Sequence, residues 1–294
     1  MKKIRCYLPN VLLTFLLVFL LIGCEVTVLA SRIALNPTTF QYISDRQQLD
    51  AKGYDTLTTY FKTRSNSTGI PESVFLNAFS QSDLRDGIWS NAGNALMYVN
   101  WQTNTYTPSL DFTRLEDAVR TFFEEYADEN GFPKDDVLEE KIQSTCKEAE
   151  ASILNAADPF KFSTLHSNGW LAKFRTVVSW LNTAIIGCIG GLILVLFLLF
   201  LCNLKQLEHL CYWVGLAGFT AGGLMAAPCI YLTATDYYSG FAIKDPQIFS
   251  AVIGYLKLLT SRCLTMAIVT VIVGCIGILC FIFLHALQKE EQAA

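Results

Sequence analysis

The most suggestive charged cluster in the chain is Asp128-Glu129-Asn130-Gly131, followed closely by Asp135 and Asp136. Carboxylates grouped around a glycine are what a calcium-binding loop uses. Such a loop wants Gly at its sixth position and a bidentate Glu at its twelfth. Counted from Asp128, Gly131 is fourth. The cluster therefore reads as the capped end of one helix and the acidic start of the next, where the helix dipole favours anions. The paired carboxylates of a glycosidase must flank a cleft; here the acidic residues fall on solvated helix faces. His166, His209 and His285 are the only histidines, and they lie too far apart in the chain for a His-rich zinc site. The chain has no His-Glu-x-x-His, no Gly-x-Ser-x-Gly and no phosphate-binding glycine loop. No catalytic, cofactor-binding or metal-binding residue is assigned, no cofactor is expected, and the protein reads as non-enzymatic. An enzyme would need a residue set converging near Asp236.

The ten cysteines could do thiol chemistry if they were paired. Only Cys146 lies well inside the polar part of the chain; the others fall in apolar runs or at their ends. Without a CxxC pair, neither a redox motif nor a zinc knuckle has support. In the apolar runs Cys is read as a small apolar residue. Cys6, Cys202 and Cys211 are at most acylation sites. Asn66-Ser67-Thr68 is a glycosylation sequon, relevant only in a eukaryotic secretory setting.

The elements that hold these residues are dominated by four apolar runs, at about 8–30, 177–202, 211–234 and 264–287. Each matches the ~20 residues that carry an α-helix across a bilayer core. Between the first and second lies a long polar stretch. Residues 31–174 carry 13 Lys or Arg against 20 Asp or Glu, a net of −7, while the remainder carries 9 against 6, a net of +3. An acidic domain lacks the basic face that nucleic acid requires, so no nucleic-acid partner is expected. The chain divides into a cytoplasmic stub with a first span (1–30), an extracytoplasmic helical domain (31–174), and a three-span membrane part (175–294) with an outer amphipathic loop at 235–263.

Orientation rests on Lys2, Lys3 and Arg5, which precede the first run and hold the N-terminus in the cytoplasm. The protein is then a multi-pass cell-membrane protein with both termini cytoplasmic. The inner turn offers only Lys205 against Glu208, and Lys244, Lys257 and Arg262 on the outer loop run against the rule. Trp170, Phe174, Trp180, Tyr212, Trp213, Tyr231, Tyr237 and Tyr238 mark the headgroup levels. Met1–Cys24 has a second reading as a signal segment, since Leu21-Ile22-Gly23-Cys24 resembles a bacterial lipobox. An uncleaved anchor is the leading reading; lipidation at Cys24 and ordinary cleavage are the alternatives. In an uncleaved anchor, Glu25 lies near the outer headgroups with Arg32 as its expected partner.

The polar domain reads as an all-α antiparallel bundle. A helix is expected over Thr38–Lys62, interrupted at Gly53, with Ser65–Gly69 as a loop. Pro71 opens a short helix, and Ser82 is expected to cap one carrying Leu84, Ile88, Ala92, Ala95 and Val99. Residues 100–109 read as a loop. The strongest stripe is Leu115, Ala118, Val119, Phe122 and Tyr126 on a helix over Phe112–Asn130. Asp135–Ala157 follows, stopped by Asp158-Pro159. Thr164–Ser179 is expected to run straight into the second span. Residues 246–262 form an amphipathic segment expected to brace the polar domain and touch the membrane surface.

The central portions of the spans hold no Asp, Glu, Lys or Arg, which argues against a pump or coupled transporter. Gly187-x-x-x-Gly191 and Gly218-x-x-x-Gly222 place small residues one turn apart and predict contact between spans two and three. Pro228 is expected to kink the third span.

The layout of one span, a large outer domain, three clustered spans and a smaller outer loop resembles the FtsX-type permease-like cell-division proteins. The resemblance is one of layout and carries over no site residue. With Asn36-Pro37-x-x-Phe40 after the first span, the chain also resembles uncharacterised four-span membrane proteins of Gram-positive bacteria with a helical outer domain. These readings converge on surface sensing or binding, or an accessory subunit of a membrane complex. The alternative is a permease or channel subunit acting as an oligomer. The expected partners are the lipid bilayer and a membrane protein or further copies of the chain.

Overall fold

The computed structural model describes residues 7–204 and 206–293, with side chains through Leu287. Lys2, Lys3, Arg5, Cys6 and Lys205 lie outside the described residues. The described residues form helices and connections without a strand. The helices are α1 (Tyr7–Val28), α2 (Pro37–Gln47), α3 (Leu49–Thr68), α4 (Glu72–Leu76), α5 (Gln81–Val99) and α6 (Thr113–Asn130). They continue as α7 (Asp136–Ala156), α8 (Phe162–Ser167), α9 (Trp170–Cys202), α10 (Leu207–Ala234) and α11 (Pro246–Ala293). A π-helical turn, Leu29–Ala34, prolongs α1. Four helical stretches are long and apolar enough to cross a membrane: Tyr7–Ala34, Trp170–Cys202, Leu207–Ala234 and Pro246–Leu287. They are consistent with an integral membrane protein.

The chain forms two compact units. One comprises residues 36–176 and 242–255; the other comprises 1–35, 177–241 and 256–294.

In the first unit, α3, α5, α6 and α7 enclose a core that includes Leu49, Leu57, Leu84, Leu115, Val119 and Ile153. Each fully buried aliphatic side chain of this kind contributes roughly 1.5–3 kcal/mol. Several helix ends differ from the sequence reading, each for a local reason. The break between α2 and α3 falls at Gln48, whose φ of 51° is left-handed. Gly53 lies inside α3 instead, because a side chain there would meet Gln247 and Leu84. The expected loop at Ser65–Gly69 is helical as far as Thr68, and Gly69 closes it at φ 77°. Ser80, not Ser82, caps α5; its hydroxyl accepts from Asp83 N–H while Asp83 accepts from Ser80 N–H. This reciprocal pair satisfies two of the free donors at the helix start. Gly131 closes α6 at φ 68°, and Asp135 caps α7 through Val137 and Leu138 N–H. The expected helix over Thr164–Ser179 is broken at Asn168-Gly169, where Gly169 takes φ 72°. The start of α11 also belongs here. Asp245 caps it, and Gln247 and Ala251 enter the core. The amphipathic segment is thus the first part of a helix that runs on to Ala293, not a separate surface element.

In the second unit, α1 packs along α10. Leu17, Val18, Val195, Leu199, Trp213, Ala217 and Ala221 form its buried centre. Asn10 and Asn203, both buried, exchange side-chain amide hydrogen bonds of 3.1 Å. The small-residue contacts differ from the expected pairing. Gly215, Gly218 and Gly222 of α10 meet Gly274, Gly277, Ala267 and Val271 of α11, so the close approach joins the third and fourth spans. Gly191 meets Leu20 of α1, and Gly187 meets nothing within 4 Å. Small residues permit close backbone approach, but the spacing does not name the partner helix.

Candidate functional site

Each unit contains one arrangement with chemical content. In the first, α6 and α7 pack as a pair, and the aromatic flank of α6 at Tyr126 is left uncovered. Leu115, Val119 and Ala127 are buried, whereas Tyr126, about two turns beyond Val119, is 50% exposed. Its ring stacks between Phe122 and Phe132, with centroid distances of 6.3 and 6.1 Å. Gly131 turns the chain so that Phe132 returns onto Tyr126. Two clefts share the wall made by Phe123, Tyr126 and Lys141. The larger, about 480 Å³, continues past Ser144, Thr145 and Glu148 of α7 to Arg64, Thr68 and Gly69 at the end of α3. The second, about 420 Å³, is completed by Phe132, Pro133, Asp135, Val137 and Leu138.

The charges around these clefts are partly committed. Arg64 pairs with Glu148. Lys134 pairs with Asp128 at 2.9 Å, and Asp135 serves as the α7 cap. Asp128 and Asp135, which looked like cation ligands, are therefore engaged in capping and pairing. Arg120 lies between Glu139 and Glu124, with both guanidinium nitrogens 2.8 Å from the Glu139 carboxylate. The bonds from Arg120 and Gln143 hold the Glu139 carboxyl down at about 2. Burial pushes the Cys146 thiol up to about 11, so it is a packed thiol and not a nucleophile.

In the second unit, the side chain of Glu25 turns inward from α1. The Thr270 hydroxyl of α11 donates to its Oε1, while Oε2 is closed off without a hydrogen-bond partner. Thr270 lies 245 residues from Glu25, so the sequence alone does not announce this bond. Asn10 and Glu25 are separated by about 22 Å along α1 at ~1.5 Å per residue, so the two polar groups lie towards opposite ends of the apolar stretch Tyr7–Ala34. Around it, Cys24 of α1 meets Cys188 of α9, and Cys229 of α10 meets Cys263 of α11. All four thiols are free. These pairs escaped the sequence because no CxxC spacing announces contacts made between helices.

The remaining candidates resolve as structural. The His166 ring packs against Tyr98 and Tyr106. His209 and His285 both pack against Phe281. Asp236 pairs with Lys257 at 2.7 Å and accepts the Ser239 hydroxyl at 2.5 Å. With the Ser239 proton directed at a carboxylate already held by a lysine, this is a turn lock, not an activated nucleophile. No family model, curated protein or solved structure matches the chain.

Proposed function

We propose that this is a non-enzymatic integral membrane protein whose helical domain faces outward and binds a partner at the cell surface, as a sensor or as the accessory subunit of a membrane complex. The observation that carries the reading is the aromatic wall of Phe122, Tyr126 and Phe132 beside Lys141. An amphipathic helix that leaves aromatic rings exposed beside its own core presents a surface suited to a partner. Exposed Tyr and Phe rings supply contact area at low conformational cost, and a flanking cation adds orientation. The occupant that fits is a protein segment presenting an apolar side chain next to a carboxylate. Lys2, Lys3 and Arg5 before the first apolar run support a cytoplasmic N-terminus. Retention of α1 as an anchor is supported by the burial of Asn10, Leu17 and Val18.

The test is photocrosslinking in native membranes from a photoreactive residue at position 126, with position 42 on α2 as an exposed control. A discrete adduct from position 126 alone, lost in Lys141→Glu, supports the reading. Identical adducts from both positions would remove it. A transport-related subunit acting as an oligomer is the second reading, favoured by Glu25 and its unpartnered oxygen inside the span unit. Chemical crosslinking that recovers only multiples of this chain, together with an ion flux in liposomes lost in Glu25→Gln, would select it.

A further inference from the structure

Arg175 lies on α9 within one turn of the apolar run that begins at Val177, and α9 is unbroken across that point. The loop that follows α5 closes around it. The Arg175 guanidinium lies 3.9 Å from the centre of the Trp101 ring and 4.8 Å from that of Tyr98. The Trp101 indole N–H donates to the Arg175 carbonyl at 2.9 Å, and Arg175 Nη2 donates to Asn104 Oδ1 at 3.1 Å. Two rings and an amide thus fix the cation in place. Its Nη1 carries no hydrogen bond and is not closed off, whereas Nε is closed off and takes no part. Trp101 is 58% exposed at a left-handed φ of 63°, a conformation unfavourable for a bulky residue. Its contacts with Arg175 hold the exposed indole there. Two residues before Arg175, the Lys173 ammonium lies 4.3 Å from the centre of the Trp170 ring, and both of these side chains are exposed. Among the described residues neither Lys173 nor Arg175 forms a salt bridge. Residues 87–110 carry no charge and 159–207 carry no acid, so this corner is basic although the polar domain as a whole is acidic.

We propose that the Trp101 loop and the first turns of α9 bind the phosphate of an anionic membrane phospholipid. Arg175 Nη1 and the Lys173 ammonium pair with the phosphate oxygens, and the Trp101 and Trp170 rings sit at the headgroup level. A membrane surface is favoured over a soluble anion because both cations lie on the helix that enters the apolar run, and exposed tryptophans partition to that level. A basic corner on an acidic domain also selects which side meets an anionic surface. The site rests on the reading of α9 as a membrane span. It shares no residue with the clefts on α6 and α7.

The experiment uses the full chain. Native mass spectrometry in detergent follows the retention of phosphatidylglycerol or phosphatidylcholine during titration, and tighter retention of phosphatidylglycerol is expected. Arg175→Gln and Lys173→Gln should each weaken it about 5-fold, the worth of one basic residue at an anionic surface, and leave phosphatidylcholine unchanged. Lys62→Gln, on an exposed side chain of α3, removes the same charge elsewhere and should change neither lipid. Lys173 is exposed, so its variant keeps the test open if Arg175→Gln lowers the melting temperature. In nanodiscs, the emission that Trp101 contributes, wild type less Trp101→Phe, should be quenched by phosphatidylglycerol brominated in its acyl chains. Equal retention of the two lipids, equal losses in all three charge variants, an unquenched Trp101, or displacement of phosphatidylglycerol by inorganic phosphate would overturn the site while leaving the span reading intact. Release of the chain from native membranes by alkaline carbonate would overturn the span reading and the site together.

Discussion

The carboxamide of Gln247 occupies the space that a side chain on residue 53 would need. Gln247 is 4% exposed, and its amide nitrogen donates to the Leu49 carbonyl at 3.0 Å and the Ala156 carbonyl at 2.8 Å. It thereby ties α3, α7 and the beginning of α11 together at one point. A glycine at 53 is the condition for that approach, since an added Cβ would collide with the amide and stand 3.1 Å from Leu84 Cδ2.

This relationship predicts a non-additive pair. Gln247→Ala removes two buried hydrogen bonds, at a cost of about 1–3 kcal/mol. Gly53→Ala alone destabilises by overpacking, by about 1–3 kcal/mol. In the double variant the collision with the amide is gone, so the combined loss should be smaller than the sum by at least about 0.5 kcal/mol. Chemical denaturation of the purified full chain, followed by circular dichroism, measures all three. Strict additivity would mean that the two residues do not share the space.

A second prediction concerns acid. Asp50 is 4% exposed and accepts from Gln81 Nε2 and from the Arg85 guanidinium, both at 2.8 Å. Burial by itself would raise its pKa; the bonds from Gln81 and Arg85 outweigh that and hold the carboxyl below the usual carboxylate range. A group with a lowered folded-state pKa adds stability that is present above its unfolded value of ~3.9 and lost as pH falls through the folded value. Stability should therefore fall below about pH 4. Asp50→Asn should flatten that fall and cost about 1–2 kcal/mol at neutral pH, discounted because Arg85 is half-exposed and screened. Denaturation midpoints between pH 3 and pH 7 test it; an unchanged acid limb in Asp50→Asn would contradict the assignment.

Much of the helical unit was legible because its signals are local. Gly131 after Asn130, Asp135 before an acidic first turn, and the Leu115–Val119 stripe all encode structure within a few residues. What was not legible depended on contacts distant in the chain. Gly53 has the appearance of a helix breaker until Gln247, almost two hundred residues later, is placed beside it. Tyr126 continues an apolar stripe, and only packing shows that its ring stays exposed while its neighbour Ala127 is buried. The glycine spacing in α10 predicts a close helix contact correctly in kind, but the partner is α11 rather than α9 because interhelical pairing is not written in either sequence alone. The Cys24–Cys188 and Cys229–Cys263 pairs were invisible for the same reason.

The glycine contacts make a third prediction. Residue 274 sits against Phe219 N, and an added Cβ there would also lie 2.8 Å from the Gly215 carbonyl oxygen and the Gly218 carbonyl carbon. These are backbone atoms of the facing helix, which cannot yield as the end of a side chain can. Gly274→Val should destabilise by at least about 2 kcal/mol, towards the upper end of overpacking costs. Gly187→Val, at an open position, should cost less than about 1 kcal/mol, the β-branched helix penalty being small. Thermal stability in detergent, read from the fraction remaining monodisperse after heating, separates the two. Equal losses would place α10 and α11 further apart than they are here.

The thiol contacts give the last prediction, and it tests how the spans pair. A disulfide requires Cα atoms within about 4.4–6.8 Å and Cβ vectors that converge, so only helices in direct contact can form one between them. Cys24 and Cys188 meet across α1 and α9, with the Cys188 sulfur 3.2 Å from the position of a Cβ on Gly23. Cys229 and Cys263 meet across α10 and α11. A mild membrane-permeant oxidant applied to the full chain in native membranes should convert two thiols of a pair to one disulfide, the two electrons and two protons passing to the oxidant. Mass spectrometry after alkylation should find the Cys24–Cys188 and Cys229–Cys263 links, while Cys275 on the same spans stays reduced. Cys24→Ser should abolish the first link and leave the second intact, which separates pairing from general oxidation. Links that instead join Cys24 to Cys229, or that scramble among all the span cysteines, would require a different arrangement of the four helices. An acylated Cys24 that is absent from every link would show that the lipobox-like tetrad is processed and that α1 does not persist as a spanning helix.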